Sequence, residues 1–221
     1  MAYQHHFTDG ETWIHGLGKV VCIGRNYVEH IRELNNATPT EPLLFIKPAS
    51  AVVPMAEPIA LPDHLSQDVH YETELAILIG KPLSRADAAQ AKEAIAGLGL
   101  ALDLTLRDVQ SQLKDKGQPW EKAKSFDGAL PLSSFVRFDP ATDLQQLGLR
   151  LTINGEVRQD GSTAEMINPV LPLLAYISQY FSLQPGDVVI TGTPAGVGPL
   201  KSGDELSVEL DTLLKVETRV K

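Results

Sequence analysis

The sequence predicts one strand-rich α+β domain with few, short helices. The 221 residues, of which 43% are hydrophobic, are enough for one continuous core. The 15 prolines and 17 glycines are scattered between many short segments, as expected for turns that join strands. Many of these segments alternate or are rich in β-branched residues. We therefore predict strands at about 19–24, 43–47, 69–79, 98–104, 148–153, 187–191 and 205–210.

One hairpin turn and one long helix have clear local signals. Asn154-Gly155 separates LRLTI from EVRQD and has the composition of a two-residue hairpin turn. A helix is predicted from Ser84 to Gly97, with Ser84 as its cap, Asp87 three residues later and an Ala-rich stretch that Gly97 ends.

Three further helices are predicted. One begins with Asn168 as cap and Pro169 as its first residue and continues through LPLLAYISQYF. Two shorter helices are predicted near Tyr27–Leu34 and Leu106–Lys114. Each of these two follows a strand and carries polar residues on one face, so we expect the chemistry of the protein at these two junctions.

Charge and targeting signals exclude several functional classes. The 19 basic and 28 acidic residues give a net charge of −9 without a basic stripe, which argues against binding of nucleic acid or an anionic membrane. The N-terminus lacks the features of a signal peptide, and no apolar run approaches the roughly 18 residues of a membrane span. Cys22 is the single cysteine, in an apolar run, and is interpreted as a buried structural thiol. We expect a cytoplasmic protein.

Two glutamates and an aspartate stand out against apolar surroundings. Glu72 and Glu74 are two residues apart in a predicted strand, so their side chains point to the same face, which His70 would share. Two carboxylates about 4 Å apart repel by about 4 kcal/mol at an effective dielectric constant near 20. Asp103 stands alone in the apolar run GLGLALDL. A cation, a shared proton or solvent must relieve these charges.

The three carboxylates can be interpreted in two ways. An all-oxygen ligand set suits Mg²⁺, Mn²⁺ or Ca²⁺ better than Zn²⁺. Alternatively, Glu72 and Glu74 line a solvated strand face, and Asp103 caps the helix that begins near Leu104. Spacing alone favours the second, purely structural interpretation.

His30 and Glu33 form a second candidate pair. They are three residues apart in YVEHIRE, so on a helix they share a face and Glu33 can orient the imidazole. This is the arrangement of a general base. The alternative is an exposed histidine in a helix of salt bridges with Arg32 and Glu29, and from these residues alone both are open.

Longer strings of sequence decide between these alternatives. The chain contains, in this order, GRNYVEHIRELNN, LLFIKP, HYETELAILIG, ALDLTLRDVQ, PWEKAKSFDGALPL, TINGEVRQ and VVITGTPAGVGPLKSGDEL. Together they resemble the catalytic domain of the fumarylacetoacetate hydrolase family, in particular its small members that act on acylpyruvates and oxaloacetate. The resemblance implies an N-terminal extension at 1–17 and a catalytic domain at 18–221. It also implies a mixed β-roll or β-sandwich with short peripheral helices, usually as a homodimer.

The resemblance assigns a role to each candidate residue. Glu72, Glu74 and Asp103 match the ligands of Mg²⁺ or Mn²⁺, which binds an α-keto acid substrate, and Ca²⁺ could replace these ions in crystals. The catalytic dyad on a mobile lid helix is matched by His30 and Glu33. The substrate contacts are matched by Arg107, Gln110, Lys124 and Thr193, and Lys124 is also expected to act in catalysis.

Local reasoning agrees for one pair of substrate contacts. Arg107 and Gln110 are three residues apart on one helix face, and an arginine can bind a carboxylate with two parallel hydrogen bonds. Without the resemblance, Arg107 could pair instead with Asp103 or Asp108. Gln110 and Lys124 could likewise be ordinary surface residues.

The mechanism implied is hydrolytic cleavage of a C–C bond in a 2,4-diketo acid. His30, assisted by Glu33, would deprotonate a water that attacks the distal carbonyl, and a metal-bound pyruvate enolate would depart with Lys124 nearby. Oxaloacetate decarboxylation passes through the same enolate. The alternatives are a keto-enol tautomerase or isomerase of oxaloacetate or hydroxymuconate-type diacids, and a non-catalytic dicarboxylate-binding protein. The motifs GxSxG and HExxH are absent.

Overall fold

Three β-sheets and five short α-helices form the architecture of the computed structural model, which describes residues 3–221. The strands are Lys19–Gly24 (β1), Leu43–Pro48 (β2), Val52–Pro54 (β3), Val69–Tyr71 (β4), Thr73–Ile79 (β5), Ile95–Leu102 (β6), Thr105–Leu106 (β7), Leu130–Leu132 (β8), Val136–Arg137 (β9), Gly148–Ile153 (β10), Glu156–Ser162 (β11), Val188–Ile190 (β12), Gly198–Pro199 (β13), Glu205–Leu210 (β14) and Leu214–Arg219 (β15). The α-helices are Val28–Glu33 (α1), Ala88–Glu93 (α2), Arg107–Asp115 (α3), Glu121–Lys124 (α4) and Val170–Tyr180 (α5).

The largest sheet combines parallel and antiparallel strands. Its order is β2-β1-β12-β5-β6-β8-β3, and β9 also pairs with β6. β1 runs parallel to β12 and β3 runs parallel to β8, whereas the other pairs are antiparallel. A four-stranded antiparallel sheet (β11-β10-β14-β15) and a small sheet (β13-β4-β7) complete the fold. This strand-rich, mixed arrangement confirms the predicted fold class.

The large sheet is covered on both faces, which explains why its central strands are almost wholly apolar. Every residue of β5 is buried. Leu75 and Ile77 belong to the larger core cluster, whereas Ala76 and Leu78 face the smaller one. The segment that precedes β1 packs on that smaller cluster through Phe7. The predicted division of the chain at residue 18 stays a prediction. No helix within residues 3–221 has the length and apolar character needed to cross a membrane.

The helix predicted from Ser84 to Gly97 is wrong at both ends. Helix α2 begins only after Asp87, whose side chain accepts a hydrogen bond from the Gln90 N–H, while Gln90 caps the Asp87 N–H in return. Arg85 has a positive φ of 48°, which excludes helix before that point. After the helix, residues from Ile95 onward pair with β5. Strand pairing therefore overrides the helical propensity of the Ala-rich stretch.

The other sequence predictions need smaller changes. The helix predicted from Asn168 begins at Val170, with Pro169 at the cap position. The helices predicted near 27–34 and 106–114 are present as α1 and α3. Asn154 and Gly155 both have positive φ, as the predicted hairpin turn requires. The long strand predicted at 69–79 is interrupted at Glu72, and the strand predicted at 98–104 ends at Leu102.

A buried asparagine, just before helix α1, joins three parts of the chain. Asn26, between β1 and α1, donates hydrogen bonds to the carbonyls of Thr191 (2.8 Å) and Asn168 (3.1 Å). Its side-chain oxygen accepts from the backbone N–H of Asn168 (2.8 Å). Gly192 follows Thr191 with a φ of 89°, and a Cβ there would lie 2.7 Å from the Cβ of Asn26. Glycine is therefore required at this close approach.

We predict that Asn26→Ala lowers the free energy of unfolding by about 2–3 kcal/mol, because it leaves several buried backbone groups without partners. Urea unfolding followed by circular dichroism measures this change. The exposed Gln112→Ala is the matched control and should change stability by no more than about 0.5 kcal/mol. Equal stability of the two variants would contradict the role given to Asn26.

Candidate active site

Three buried carboxylates meet where β4, β5 and β6 end or begin. Glu72 lies in the break between β4 and β5, Glu74 lies in β5, and Asp103 follows β6. Strand pairing brings them together, since Glu74 is in register with Ala101. One oxygen of each carboxylate lies within 4.8 Å of one from each of the others, and the residues are only 6%, 1% and 1% exposed. His70, which was expected to share the strand face of Glu72 and Glu74, lies outside this cluster and forms a hydrogen bond with Asp68.

Three cations from three different elements face these carboxylates. The Lys124 Nζ donates to Glu72 Oε2 (2.8 Å) and to Asp103 Oδ2 (2.7 Å). Arg107 donates to Glu72 Oε1 (2.6 Å). The Lys47 Nζ is 2.8 Å from Asp103 Oδ1. The cluster therefore joins three carboxylates to three basic side chains in an almost dry environment.

The negative charges of the three carboxylates are not equally compensated by the basic side chains. Burial alone would raise the pKa of Glu72, but Lys124 and Arg107 outweigh it and hold that pKa below its ordinary value. The pKa of Glu74 is raised well above its ordinary value by burial and by the adjacent Asp103 and Glu72. Its carboxylate accepts a hydrogen bond from the Gly192 N–H (2.7 Å). Glu74 is thus the carboxylate whose charge most needs a further cation.

The donor set fits a hard divalent cation. Its atoms are carboxylate oxygens, which Mg²⁺, Mn²⁺ and Ca²⁺ prefer. Asp103 Oδ1 is fully buried and lacks a hydrogen-bond partner, although Lys47 lies at ion-pair distance. A cation between the three side chains would relieve both Glu74 and this oxygen.

Lys47 is a site residue that the sequence analysis did not single out. It is fully buried in β2, and its ammonium also donates to the carbonyls of Ala129 (3.1 Å), Leu104 (3.3 Å) and Lys124. It therefore holds the segment after β6 and the end of α4 against the cluster. A usable signal was present, because a lysine within the apolar run LLFIK is as anomalous as Asp103.

The predicted general base lies at the same site. His30 in α1 is buried, and its Nδ1 is 3.4 Å from Glu33 Oε2. Burial lowers the pKa of His30, although the nearby Glu72 and Glu33 oppose this effect. Glu33 also accepts a hydrogen bond from the Gly196 N–H (3.0 Å), which ties α1 to the loop after β12. The imidazole is therefore oriented by Glu33 and favours its neutral form.

One small cavity connects the base to the charge cluster. The cavity has a volume of about 30 Å³, and residues from β1, α1, β2, α3, α4 and the break between β4 and β5 line it. These include His30, Glu72, Arg107, Gln110 and Lys124. Gln110 is buried and accepts a hydrogen bond from Arg107 (2.8 Å), so it does not face solvent as an ordinary helix residue would.

Thr193 is placed differently from the other predicted residues. It is buried, and its hydroxyl accepts a hydrogen bond from Gln159 (2.8 Å). Gln159 also donates to the Pro194 carbonyl (2.9 Å) and accepts from the Thr73 N–H (3.0 Å). Gln159 was not singled out in sequence, although it lies in the string TINGEVRQ. The predicted contact between Thr193 and substrate stays a prediction.

Comparisons with known proteins agree with this fold. The family profile of the fumarylacetoacetate (FAA) hydrolase C-terminal domain matches residues 19–221. The chain is 53% identical over 210 residues to the oxaloacetate tautomerase YcgM of Escherichia coli (strain K12), covering 95% of each chain. It is 41% identical to the mitochondrial oxaloacetate tautomerase FAHD1 of Homo sapiens, over 91% of this chain and 90% of that protein.

A solved structure shows the same fold with ligands bound. It is the fumarylpyruvate hydrolase of Pseudomonas aeruginosa in complex with Mn²⁺ and pyruvate. Its sequence is 33% identical, the TM-score is 0.92, and the match covers 99% of this chain and 95% of that one. Profile, relatives and fold lead to one conclusion: the chain belongs to the fumarylacetoacetate hydrolase family.

Proposed function

We propose that the protein is a divalent-metal-dependent enzyme of small α-keto acids and that it interconverts the keto and enol forms of oxaloacetate. The observation that carries this proposal is that one cavity is lined both by the buried His30 and by Glu72 of the carboxylate cluster. The identity to two oxaloacetate tautomerases over nine tenths of the chain supports the choice of substrate. We further expect a homodimer in the cytoplasm.

In this proposal Glu72, Glu74 and Asp103 hold Mg²⁺ or Mn²⁺. The ion, when bound, supplies a Lewis acid that polarises the oxygens of an α-keto acid. Arg107 and Lys124 place two further positive charges at the same end of the cavity, where negative charge develops as the substrate enolises. Gln110 fixes the guanidinium of Arg107 through its side-chain oxygen.

The proton transfer is assigned to His30. Its Nδ1 faces Glu33, which leaves Nε2 free to take a proton from C3 of the keto form. The C3–H electrons form the C2–C3 double bond, and the C2–O π electrons move onto the carbonyl oxygen. That oxygen takes a proton from solvent to give the enol, and His30 returns its proton to solvent. Glu33 keeps the ring oriented and stabilises its transient positive charge. We propose that Thr193, held by Gln159, helps to position the substrate carboxylate.

Hydrolysis of acylpyruvates is the second candidate. The fold is shared with a fumarylpyruvate hydrolase, and a base such as the His30–Glu33 pair can deprotonate water as well as carbon. In that reaction water adds to the distal carbonyl, the C–C bond breaks, and pyruvate leaves as its enolate. Both reactions use the same stabilised enolate, so the residues of the carboxylate cluster serve either one.

We predict that Glu74→Gln abolishes metal dependence while the protein stays folded. Loss of one ligand should reduce metal-stimulated tautomerisation by at least about 100-fold. Mg²⁺ should raise the unfolding temperature of the wild type but not of the variant, because binding stabilises only a folded state that holds the ion. The exposed Glu93→Gln serves as control. An unchanged response to Mg²⁺ in Glu74→Gln would refute the metal assignment.

Replacing His30 by Ala should slow oxaloacetate tautomerisation by about 10²–10⁴-fold, the usual contribution of a general base. Decay of the enol absorbance in the ultraviolet measures the rate. Glu29→Gln, on the exposed side of the same helix, should leave the rate unchanged. Full activity of His30→Ala would exclude the histidine as the base.

The pH profile should report the same histidine. A base works only in its deprotonated form, and burial lowers the pKa of His30. We therefore expect kcat/KM to be level near neutrality and to fall with decreasing pH only below about 6.5, the ordinary histidine pKa. The acidic limb should vanish in His30→Ala. A limb centred above pH 7 would argue against a buried imidazole.

The two candidate reactions can be separated with one panel of substrates. Purified protein with Mg²⁺ should tautomerise oxaloacetate faster than it hydrolyses acetylpyruvate or fumarylpyruvate. Faster C–C cleavage than tautomerisation would make the hydrolase the principal activity. Turnover of none of these compounds would instead favour a non-catalytic dicarboxylate-binding protein.

A further inference from the structure

Two further cations line the same cavity, and the proposed chemistry does not use them. Arg25 lies at the junction of β1 and α1, and Lys114 lies in the last turn of α3. Lys114 lies seven residues after Arg107 and four after Gln110, so the three share one helix face. This face extends from the carboxylate cluster toward the start of α1.

Neither cation has an acidic partner within residues 3–221. Arg25 donates to the Ala37 carbonyl (3.2 Å) and to the side-chain oxygen of Asn36 (3.1 Å), and its Nε is buried without a partner. The Lys114 ammonium lies over the Trp120 ring, 5.5 Å from its centre. In a chain with 28 acidic and 19 basic residues, two partly buried cations without a carboxylate are unusual.

The two cations are also held close to each other at a cost. Burial, Arg25 and Arg107 together lower the pKa of Lys114 to about 8. Arg25 has a positive φ of 60°, a backbone conformation that arginine rarely adopts. Local strain and unrelieved repulsion concentrate at sites that bind a ligand. A bound anion would relieve the repulsion and supply the missing acceptor for Arg25 Nε.

We propose that Arg25 and Lys114 form a second anion subsite that binds the distal carboxylate of the substrate. The inference rests on the proposed function, because it takes the keto acid end of the substrate to lie at the carboxylate cluster. It selects dicarboxylic α-keto acids over acylpyruvates with an uncharged acyl group. Oxaloacetate meets this requirement with a carboxylate at each end.

A pair of unreactive ligands tests the subsite independently of catalysis. L-malate and 2-hydroxybutyrate share the 2-hydroxy acid end, but malate has a carboxylate where 2-hydroxybutyrate has a methyl group. With Mg²⁺ present, calorimetry should show that the wild type binds malate at least about 10-fold more tightly, the usual effect of a charge-assisted hydrogen bond. Lys114→Met, which keeps the aliphatic stem over Trp120, should weaken malate binding by about 10-fold and leave 2-hydroxybutyrate unchanged.

Three further variants sharpen the test. Lys114→Arg should restore the preference for malate, which a purely structural role of the lysine stem would not require. Arg25→Gln should behave as Lys114→Met does, and its unfolding temperature shows whether it is folded. Lys116→Met removes an exposed lysine just beyond the same helix and should change neither affinity.

The outcomes separate this inference from the tautomerase proposal. Equal binding of the two ligands by the wild type, binding of neither, or equal losses for both in Lys114→Met would overturn the subsite, even if oxaloacetate is turned over. A malate preference that depends on Lys114 would uphold the subsite even if oxaloacetate is not tautomerised. With oxaloacetate as substrate, Lys114→Met should raise KM about 10-fold with little change in kcat.

Discussion

The rest of the site depends on the burial of three carboxylates within 4.8 Å of one another. Such a cluster is unfavourable in a dry interior unless each charge is paired or hydrogen-bonded. The protein meets this constraint with basic side chains from β2, α3 and α4, namely Lys47, Arg107 and Lys124. Removing one partner of a buried ion pair costs about 3–5 kcal/mol, so these elements are locked to the sheet by the charges they neutralise.

Hydrogen bonds connect the carboxylate cluster to helix α1 through the loop after β12. Glu74 accepts a hydrogen bond from Gly192, and Gly192 packs directly on Asn26 at the start of α1. Glu33 in α1 accepts a hydrogen bond from Gly196, four residues further along the same loop. The loop after β12 therefore contacts both the carboxylate cluster and the helix that carries His30. A base and a cation site from distant parts of the sequence are thus held in one frame.

Sequence reasoning found what local patterns encode and missed what only the fold creates. The apolar strands, the Asn154-Gly155 turn and the anomalous Asp103 all have signals within a few residues. The C-terminal end of the helix predicted from Ser84 to Gly97 was wrong because pairing of Ile95 with β5 is a tertiary effect that overrides helical propensity. Asn26 and Gln159 were missed because their partners lie far away in sequence, as with Asn26 and Thr191.

The functional roles of individual residues were also beyond the reach of local sequence patterns. Spacing alone left Glu72, Glu74 and Asp103 as an electrostatic oddity, and only a family resemblance made them ligands. The structure supplies the physical link, since the three side chains converge although 31 residues separate Glu72 from Asp103. Lys47 could have been found by the rule that drew attention to Asp103, but a lysine can extend its amine to solvent, and this makes its burial harder to infer.

Under the proposed function, a site of this kind stabilises an enolate without deciding which reaction follows. The carboxylate cluster and its cations would act on the keto acid end, which oxaloacetate and the acylpyruvates share. The two substrate classes differ at the other end, and the cavity presents two cations, Arg25 and Lys114, beside the side chains of Leu34, Phe45 and Trp120. Positive charge without an acidic partner costs free energy that an anionic ligand recovers. Under the proposed second anion subsite, the part of the cavity that holds Arg25 and Lys114, rather than the carboxylate cluster, selects the substrate of this chain.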